Sequence, residues 1–372
     1  MGLKLYSSRL EIDEGTADFI KQQIDSVPSN AICGVVFCGV IETMEYGQLL
    51  SLLKDTLYQA LGRRVPVTLI PQHLLPQGGL SMDIYTLEEA SEIEFSEQNG
   101  VCYGIISNSE ESLLFVEGIP ASDFTQSVRT QSSEVFGRLE NILTANGFAA
   151  NDIVRQWNYI GNIVGFRAGK QNYQEFNDAR SLFYGGVKWH NGYPAATGIG
   201  VWGEGIIIGA IAFKSADKLS KAIYPIDNPL QVAAHIYSKS VLIDDAAEAM
   251  KSTPKFERAK IIKTQRGVCC FVSGTAAIRG EQSVDSTSAK EQTIKTIENI
   301  DYLVSKENLI RYGCEPYNLQ YTQLQVFIKN KEDYNEVKAV VESVFPGLQV
   351  VYSVADVCRS ELLVEIEGIL IS

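Results

Sequence analysis

Three histidines, His73, His190 and His235, are all that this 372-residue chain contains, and no two stand at ligand spacing. There is also no Cys-x-x-Cys pair, so a transition-metal site lacks donors and no metal is expected. The seven cysteines (33, 38, 102, 269, 270, 314 and 358) are odd in number and have no paired spacing. That pattern points to a reduced intracellular chain rather than a disulfide framework. Basic runs are missing: 32 Lys and Arg against 45 Asp and Glu leave a net charge of −13, spread along the chain, and a nucleic-acid surface is not expected. Apolar runs such as Ile206 to Phe213 are far too short to cross a bilayer, and MGLKLYSSRLEIDEG at the start has no apolar core of a leader. The expectation is a cytoplasmic protein without membrane contact. Its 45% hydrophobic content excludes intrinsic disorder and suffices for two compact domains.

The segment Gly198-Ile-Gly-Val-Trp-Gly203 matches the dinucleotide fingerprint G-x-G-x-x-G, which functions only where a strand passes into a helix whose N-terminus receives a pyrophosphate. The next residues are instead Gly205-Ile-Ile-Ile-Gly-Ala-Ile-Ala-Phe213, whose β-branched content reads as a buried strand. The glycines are assigned to a turn or bulge, and no nucleotide cofactor is expected. None of the histidines has an evident serine or cysteine partner in the sequence. Cys269 and Cys270 are adjacent, so in a strand they point to opposite faces.

The chain does contain a repeat. Phe115-Val-Glu-Gly-Ile-Pro-Ala121 resembles Phe271-Val-Ser-Gly-Thr-Ala-Ala277 at an offset of 156 residues (271 − 115). Leu139-Glu-Asn-Ile142, inside an apolar helical stripe between Thr130 and Asn146, corresponds to Ile297-Glu-Asn-Ile300 at an offset of 158 (297 − 139). Ile206 to Ile211 corresponds to Val364 to Ile369 at the same offset, which sets Ile207 against Glu365. Three blocks in one order predict a duplicated α+β domain, each copy running strand, turn, helix, strand, helix, strand.

The copies differ at their last strand. The first is apolar throughout, whereas the second carries Glu365 and Glu367 two apart, on one face. A carboxyl desolvated in an apolar strand has its pKa raised and suits a proton donor near neutral pH. The alternative is a pair of glutamates on the solvated face of an edge strand.

Five segments resemble a known family: Trp157-Asn-Tyr-Ile-Gly-Asn-Ile163, Tyr173-Gln-Glu-Phe-Asn-Asp-Ala-Arg180, Tyr193 to Gly200, Ser273-Gly-Thr-Ala276, and Ala355-Asp-Val-Cys-Arg-Ser-Glu-Leu-Leu-Val-Glu-Ile-Glu367. From about residue 100 onward each half is similar to a RidA/YjgF-type module, and the whole resembles the chorismatases. The resemblance implies an α+β fold of two mixed-sheet-plus-helices copies in one chain, a small-molecule substrate (chorismate), release of pyruvate, and no cofactor. Protonating the terminal methylene of an enolpyruvyl ether gives an oxocarbenium ion that water or a ring hydroxyl attacks, which requires one positioned acid. Glu365 stands where the family's catalytic glutamate is found.

The same resemblance implies substrate contacts from Arg180, Tyr237, Gly274, Thr275 and Cys358. An arginine fork pairs a carboxylate bidentately, although Arg180 could instead form a surface ion pair; Tyr237 could be a core tyrosine, Gly274 could only allow a turn, and Cys358 could be a buried inert thiol. Small trimeric relatives hold a carboxylate with an arginine shortly before the last strand. No arginine occurs here between Tyr312 and Cys358, and Tyr352 stands near that place. Arg359 could pair with Asp356 or Glu361. Gly274 together with Cys358 resembles family members that form 3-hydroxybenzoate rather than a dihydroxy-cyclohexadiene carboxylate. A metabolite-binding module without turnover is the competing class. Domains are expected at 1–215 and 216–372, with residues 214 to about 263 as a connector, strands near Ala31 to Val40 and Val65 to Leu69 flanking a helix, and a monomer in solution.

Overall fold

The computed structural model describes residues 3–10, 15–42, 44–87, 93–167, 169–216, 221–238, 252–265 and 267–372. The first repeat comprises β1 (Leu3–Leu10), α1 (Thr16–Asp25), β2 (Ile32–Gly39), α2 (Tyr46–Leu61), β3 (Val67–Ile70), the short β4 (His73–Leu74) and β5 (Leu80–Leu87). Its sheet is ordered β1-β5-β2-β3, with β2 and β3 parallel. The second comprises β6 (Glu94–Gln98), β7 (Val101–Ser107), β8 (Glu111–Pro120), α3 (Val128–Ala145), β9 (Ile153–Gly161), a hairpin of β10 (Phe166–Arg167) and β11 (Lys170–Gln171), α4 (Asn172–Phe183), β12 (Ala195–Val201) and β13 (Ile206–Ser215). Its sheet runs β12-β9-β13-β8-β7-β6.

The third repeat has the same plan, with β14 (Ile223–Ile226), β15 (Ala259–Thr264), β16 (Gly267–Ala276), a hairpin of β17 (Ile278–Arg279) and β18 (Gln282–Ser283), α5 (Ala289–Leu303), α6 (Lys306–Arg311), β19 (Gln320–Ile328), α7 (Tyr334–Val344), β20 (Val350–Val354) and β21 (Val364–Ile371). Its order is β14-β15-β16-β21-β19-β20, and β4 of the first repeat pairs with the outer edge of β20. Each repeat therefore places its last strand between the long strand before its first helix and the strand after that helix: β5 between β1 and β2, β13 between β8 and β9, and β21 between β16 and β19. The two RidA/YjgF-like α+β copies expected from the sequence are present, and the N-terminal segment is a third, trimmed version of the same unit.

The repeat alignment holds at the level of register. Ile207 lies opposite Pro120 and Glu365 lies opposite Ala276, which are matched positions of the two copies. Both opening strands also bulge at the same place, over Glu117 and Gly118 in β8 and over Ser273 and Gly274 in β16. The expected element order missed one strand per copy, β12 and β20. Gly198 and Gly200 made β12 look like a turn, yet they serve close approach: a methyl on Gly198 would meet the Tyr173 ring at 3.1 Å, and one on Gly200 would meet the Asp356 backbone at 2.8 Å. The stretch read as a connector contributes β14 and β15 to the third sheet.

Helices form where the stripe and the caps agree: the Ser127 hydroxyl accepts from Thr130 N at the start of α3, and the Ser288 hydroxyl accepts from Glu291 N at the start of α5. Strand alternation then splits each sheet into a helix-covered face and an inner face. Along β21, Val364, Ile366 and Leu370 pack under the helices, while Ile369 joins a cluster with Tyr85 of the first repeat and Phe115 and Phe213 of the second. Cys269 and Cys270 fall on opposite faces in this way. Each large side chain in that shared inner core contributes roughly 1.5–3 kcal/mol, so the three repeats are bound by burial rather than by linkers. Glu365 and Glu367 lie on the same inner face, deep in a central strand, and the solvated edge-strand alternative is excluded.

Candidate active site

The inner faces do not close completely where the third repeat meets α4 of the second. A cleft opens there between the two repeats. From α4 it is lined by Tyr173, Gln174 and Asn177. The third repeat contributes Tyr237, Phe256, Arg258, Gly274, Cys358, Arg359 and Glu365.

Glu365 is 4% exposed. Burial, and after it the negative charge of Glu367, push its pKa up to about 8, opposed by Arg155 and Arg258. It is therefore a neutral acid at pH 7, with a proton to donate. A methyl group on residue 274 would overlap Glu365 Oε1, so Gly274 gives the carboxyl its place. The Gly274 N–H itself donates to Thr197 Oγ1 at 3.0 Å.

Two arginines, Arg258 and Arg359, line the same cleft, and a third, Arg180, lies behind it. Arg258 Nη2 donates to Tyr237 Oη at 2.5 Å and to Val232 O at 2.9 Å, while its Nε, buried, has no partner among the described residues. Arg359 stacks on the same tyrosine at 5.5 Å, and its Nη1 donates to Glu281 O and Ser283 Oγ at 3.0 and 3.2 Å. It pairs with neither Asp356 nor Glu361. Arg180 is fully buried behind Tyr173 and Asn177: its Nη2 donates to Asn177 Oδ1 at 2.5 Å, and its Nε is unpartnered among the described residues. The surface ion pair is thus not formed. Buried arginine donors left unused beside a cleft are suited to an anionic ligand.

Cys358 touches the cleft, and its thiol is pushed up to about 12 by burial and then by Glu365; it is a small wall residue, not a thiolate. Thr275 is a correction. Its strand neighbours Gly274 and Ala276 line the cleft, whereas the Thr275 side chain turns to the opposite face and donates to Ser273 O at 2.9 Å. Tyr352 is also remote, packed edge-on against Tyr334 on β20.

The sequence reading missed Arg258, Asn177 and the wall formed by Phe256. Arg258 lay in the stretch set aside as a connector, although Arg258 and Lys260, two apart in an apolar strand, carry the same alternation signal that exposed Glu365 and Glu367.

Comparison with known proteins agrees with this geometry. Residues 86–212 match the family described as chorismatase FkbO/Hyg5-like, N-terminal, and residues 248–371 match the family described as endoribonuclease L-PSP, the RidA-like module. The chain is thus similar to the chorismatases along most of its length. It is 29% identical over 315 residues to a 3-hydroxybenzoate synthase of Streptomyces hygroscopicus, covering 80% of this chain and 86% of that one. It is 31% identical over 225 residues to a chorismatase of Streptomyces rapamycinicus, covering 58% of this chain and 63% of that one. A crystal structure of a chorismatase superposes over 100% of this chain and 99% of its own with a TM-score of 0.71 at 20% identity, a likeness of fold. Among the described residues no helix is long and apolar enough to cross a membrane.

Proposed function

We propose that the protein converts chorismate into 3-hydroxybenzoate and pyruvate. The observation that carries this reading is a neutral buried carboxyl, Glu365, in a cleft also lined by Arg258, whose Nε has no partner among the described residues, and by Arg359. Chorismate is a dianion with an acid-labile enol ether, so it asks for a proton donor at one end and cations at the other. Arg258 and Arg359, bracketing Tyr237, take one carboxylate, and Arg180, buried behind Tyr173 and Asn177 and not itself lining the cleft, acts on the other only as a charge behind that wall. Glu365 protonates the terminal methylene of the enolpyruvyl group, which makes the ether carbon an oxocarbenium ion. The ring hydroxyl vicinal to the ether attacks that carbon to close a cyclic ketal and gives its proton to the Glu365 carboxylate. The hydroxyl-bearing ring carbon then loses its C–O bond as the ether-bearing carbon loses its proton, which aromatises the ring. The original ether bond breaks with that proton taken by the phenol oxygen, so the hydroxyl oxygen leaves as the keto oxygen of pyruvate. The elements of chorismate equal those of the two products, so neither water, a redox partner nor a metal enters the balance.

Gly274 and Cys358 shape the ring's surroundings. Both are small, and together they leave the ring room to bring its hydroxyl toward the reacting ether, which favours aromatic product over hydrolysis. Three repeats in one chain supply internally the surfaces that a trimer of single modules would supply, and the protein is read as a cytoplasmic monomer.

The test is incubation with chorismate followed by chromatography and a pyruvate assay. Equimolar pyruvate and 3-hydroxybenzoate are expected, and Glu365→Gln should lower pyruvate release by about 10³-fold while the protein stays folded. Pyruvate with a non-aromatic diene diol would overturn the reading of Gly274 and Cys358. No pyruvate, or full turnover by Glu365→Gln, would overturn the assignment.

A further inference from the structure

Glu367 lies one strand-face step from Glu365 and takes its partners from the second repeat. Arg155 Nη2 on β9 donates to Glu367 Oε2 at 2.7 Å, and Trp157 Nε1 donates to Glu367 Oε1 at 3.1 Å. The Arg155 guanidinium stacks on the Trp157 ring at 4.6 Å, and its Nη2 also donates to Thr197 Oγ1 at 2.8 Å, the hydroxyl that receives Gly274 N–H. Arg155 and Glu367 are both buried, at 1% and 6% exposure. A buried ion pair of this kind is weak evidence for stability, because its desolvation cost offsets much of its attraction. Its place, beside the acid and bonded to the same threonine as the strand bulge that seats it, calls for another explanation.

We propose that Glu367, clamped by Arg155 and Trp157 across the repeat interface, is a positioning residue for Glu365, a fixed anion that sets how firmly the catalytic carboxyl holds its proton. The proposal rests on the reading of Glu365 as the proton donor. Three charged groups act on Glu365: Glu367 on its own strand, Arg155 from β9 and Arg258 beside β15. Cys358, from the loop before β21, and Tyr173, from α4, are the further titratable groups in its field. Of the charged groups only Glu367 is negative, so it alone works with desolvation to keep the acid protonated. Arg155 neutralises Glu367 enough for a second carboxyl to be tolerated two residues away, yet leaves its remaining charge directed at Glu365. The second repeat thereby tunes an acid that belongs to the third, although it donates no proton itself.

The test is the pH dependence of kcat with chorismate. Turnover requires the protonated acid, so the rate is full below the Glu365 pKa and falls tenfold per unit above it, near pH 8. Glu367→Gln removes the anion and should move this alkaline limb down by about one unit. Trp157→Phe keeps the ring but removes a hydrogen bond that quiets the Glu367 charge, and should move the limb up by a few tenths of a unit. Both variants are compared with wild type by circular dichroism, and Trp157→Phe decides alone if Glu367→Gln does not fold. Limbs that stay at the wild-type pH while kcat falls would mean a merely structural pair and overturn the proposal, leaving the function intact. Full turnover by Glu365→Gln would instead overturn the reading on which the proposal rests.

Discussion

Two clefts of this molecule are built by the same rule, and only one contains the acid. Where the third repeat meets α4, the last strand carries Glu365, the bulge carries Ser273 and Gly274, and the adjoining strand is preceded by Arg258. Where the second repeat meets α2, the last strand carries Ile207, the bulge carries Glu117 and Gly118, and the strand position matching Arg258 is Cys102. The second cleft is apolar, walled by Met44, Tyr46, Leu49, Phe124 and Trp202. Glu204 stands at its wall, and the bulge carboxylate, Glu117, lies outside that wall and is claimed by Lys54 Nζ at 2.6 Å and by Val67 N at 3.0 Å. A desolvated carboxyl becomes a usable acid only when no cation is bound directly to it and a solvent-filled space lies before it. Glu117 fails on the first count, whereas Arg155 and Arg258 are committed to Glu367 and Tyr237 and act on Glu365 from farther away.

This contrast can be broken from either side. The largest effect expected is on stability. The folded-state pKa of Glu365 is raised from 4.5 to about 8, so the folded state holds a proton that the unfolded chain has already released. Stability from this group is therefore full below pH 4.5 and is lost as pH rises through about 8. Glu365→Gln should gain on the order of 4 kcal/mol over wild type by about pH 8, with the difference vanishing toward about pH 4.5, as read by urea denaturation across pH. A constant difference would mean that Glu365 is not protonated in the native state.

Placing a carboxyl in the silent cleft is the converse change. Ile207→Glu should cost about 3 kcal/mol in chemical denaturation, because the cleft's lining offers no cation to a buried carboxyl. In a Glu365→Gln background it should restore no pyruvate release, since the arginine wall is missing there. Recovery of turnover would show that the acid alone makes the site. The smallest of the three concerns that wall: Arg258→Met should raise KM for chorismate by about 30-fold, roughly 2 kcal/mol, with a smaller change in kcat. An unchanged KM would remove Arg258 from substrate binding.

Much of the contrast was already legible at the level of residues. Period-two alternation put Glu365 and Glu367 on one face, and the 158-residue offset set Ile207 against Glu365, as the strand registers Ile207 to Pro120 and Glu365 to Ala276 show. The strands and helix expected around Ala31 to Leu69 are β2, α2 and β3. Thr275 was implied by the resemblance together with its neighbour Gly274, and strand alternation turns its side chain away from the cleft that Gly274 and Ala276 line. The first repeat escaped notice because it is trimmed at its opening strands and no block of its sequence stands at the common offset. Arg258 escaped because it lies in the stretch taken as a connector, although its two-residue spacing from Lys260 marks a strand face.

The sequence alone determined what is periodic or local: helices from apolar stripes and serine caps, strands from alternation, the duplication, and the odd carboxyl in an apolar strand. Tertiary structure decided which groups act on that carboxyl. Arg155 and Glu367 are 212 residues apart and belong to different repeats, and the cleft exists only because two repeats fail to close against each other. A pKa is set by burial and by charges within a few ångströms, and distance through space is the quantity that order along a chain does not record.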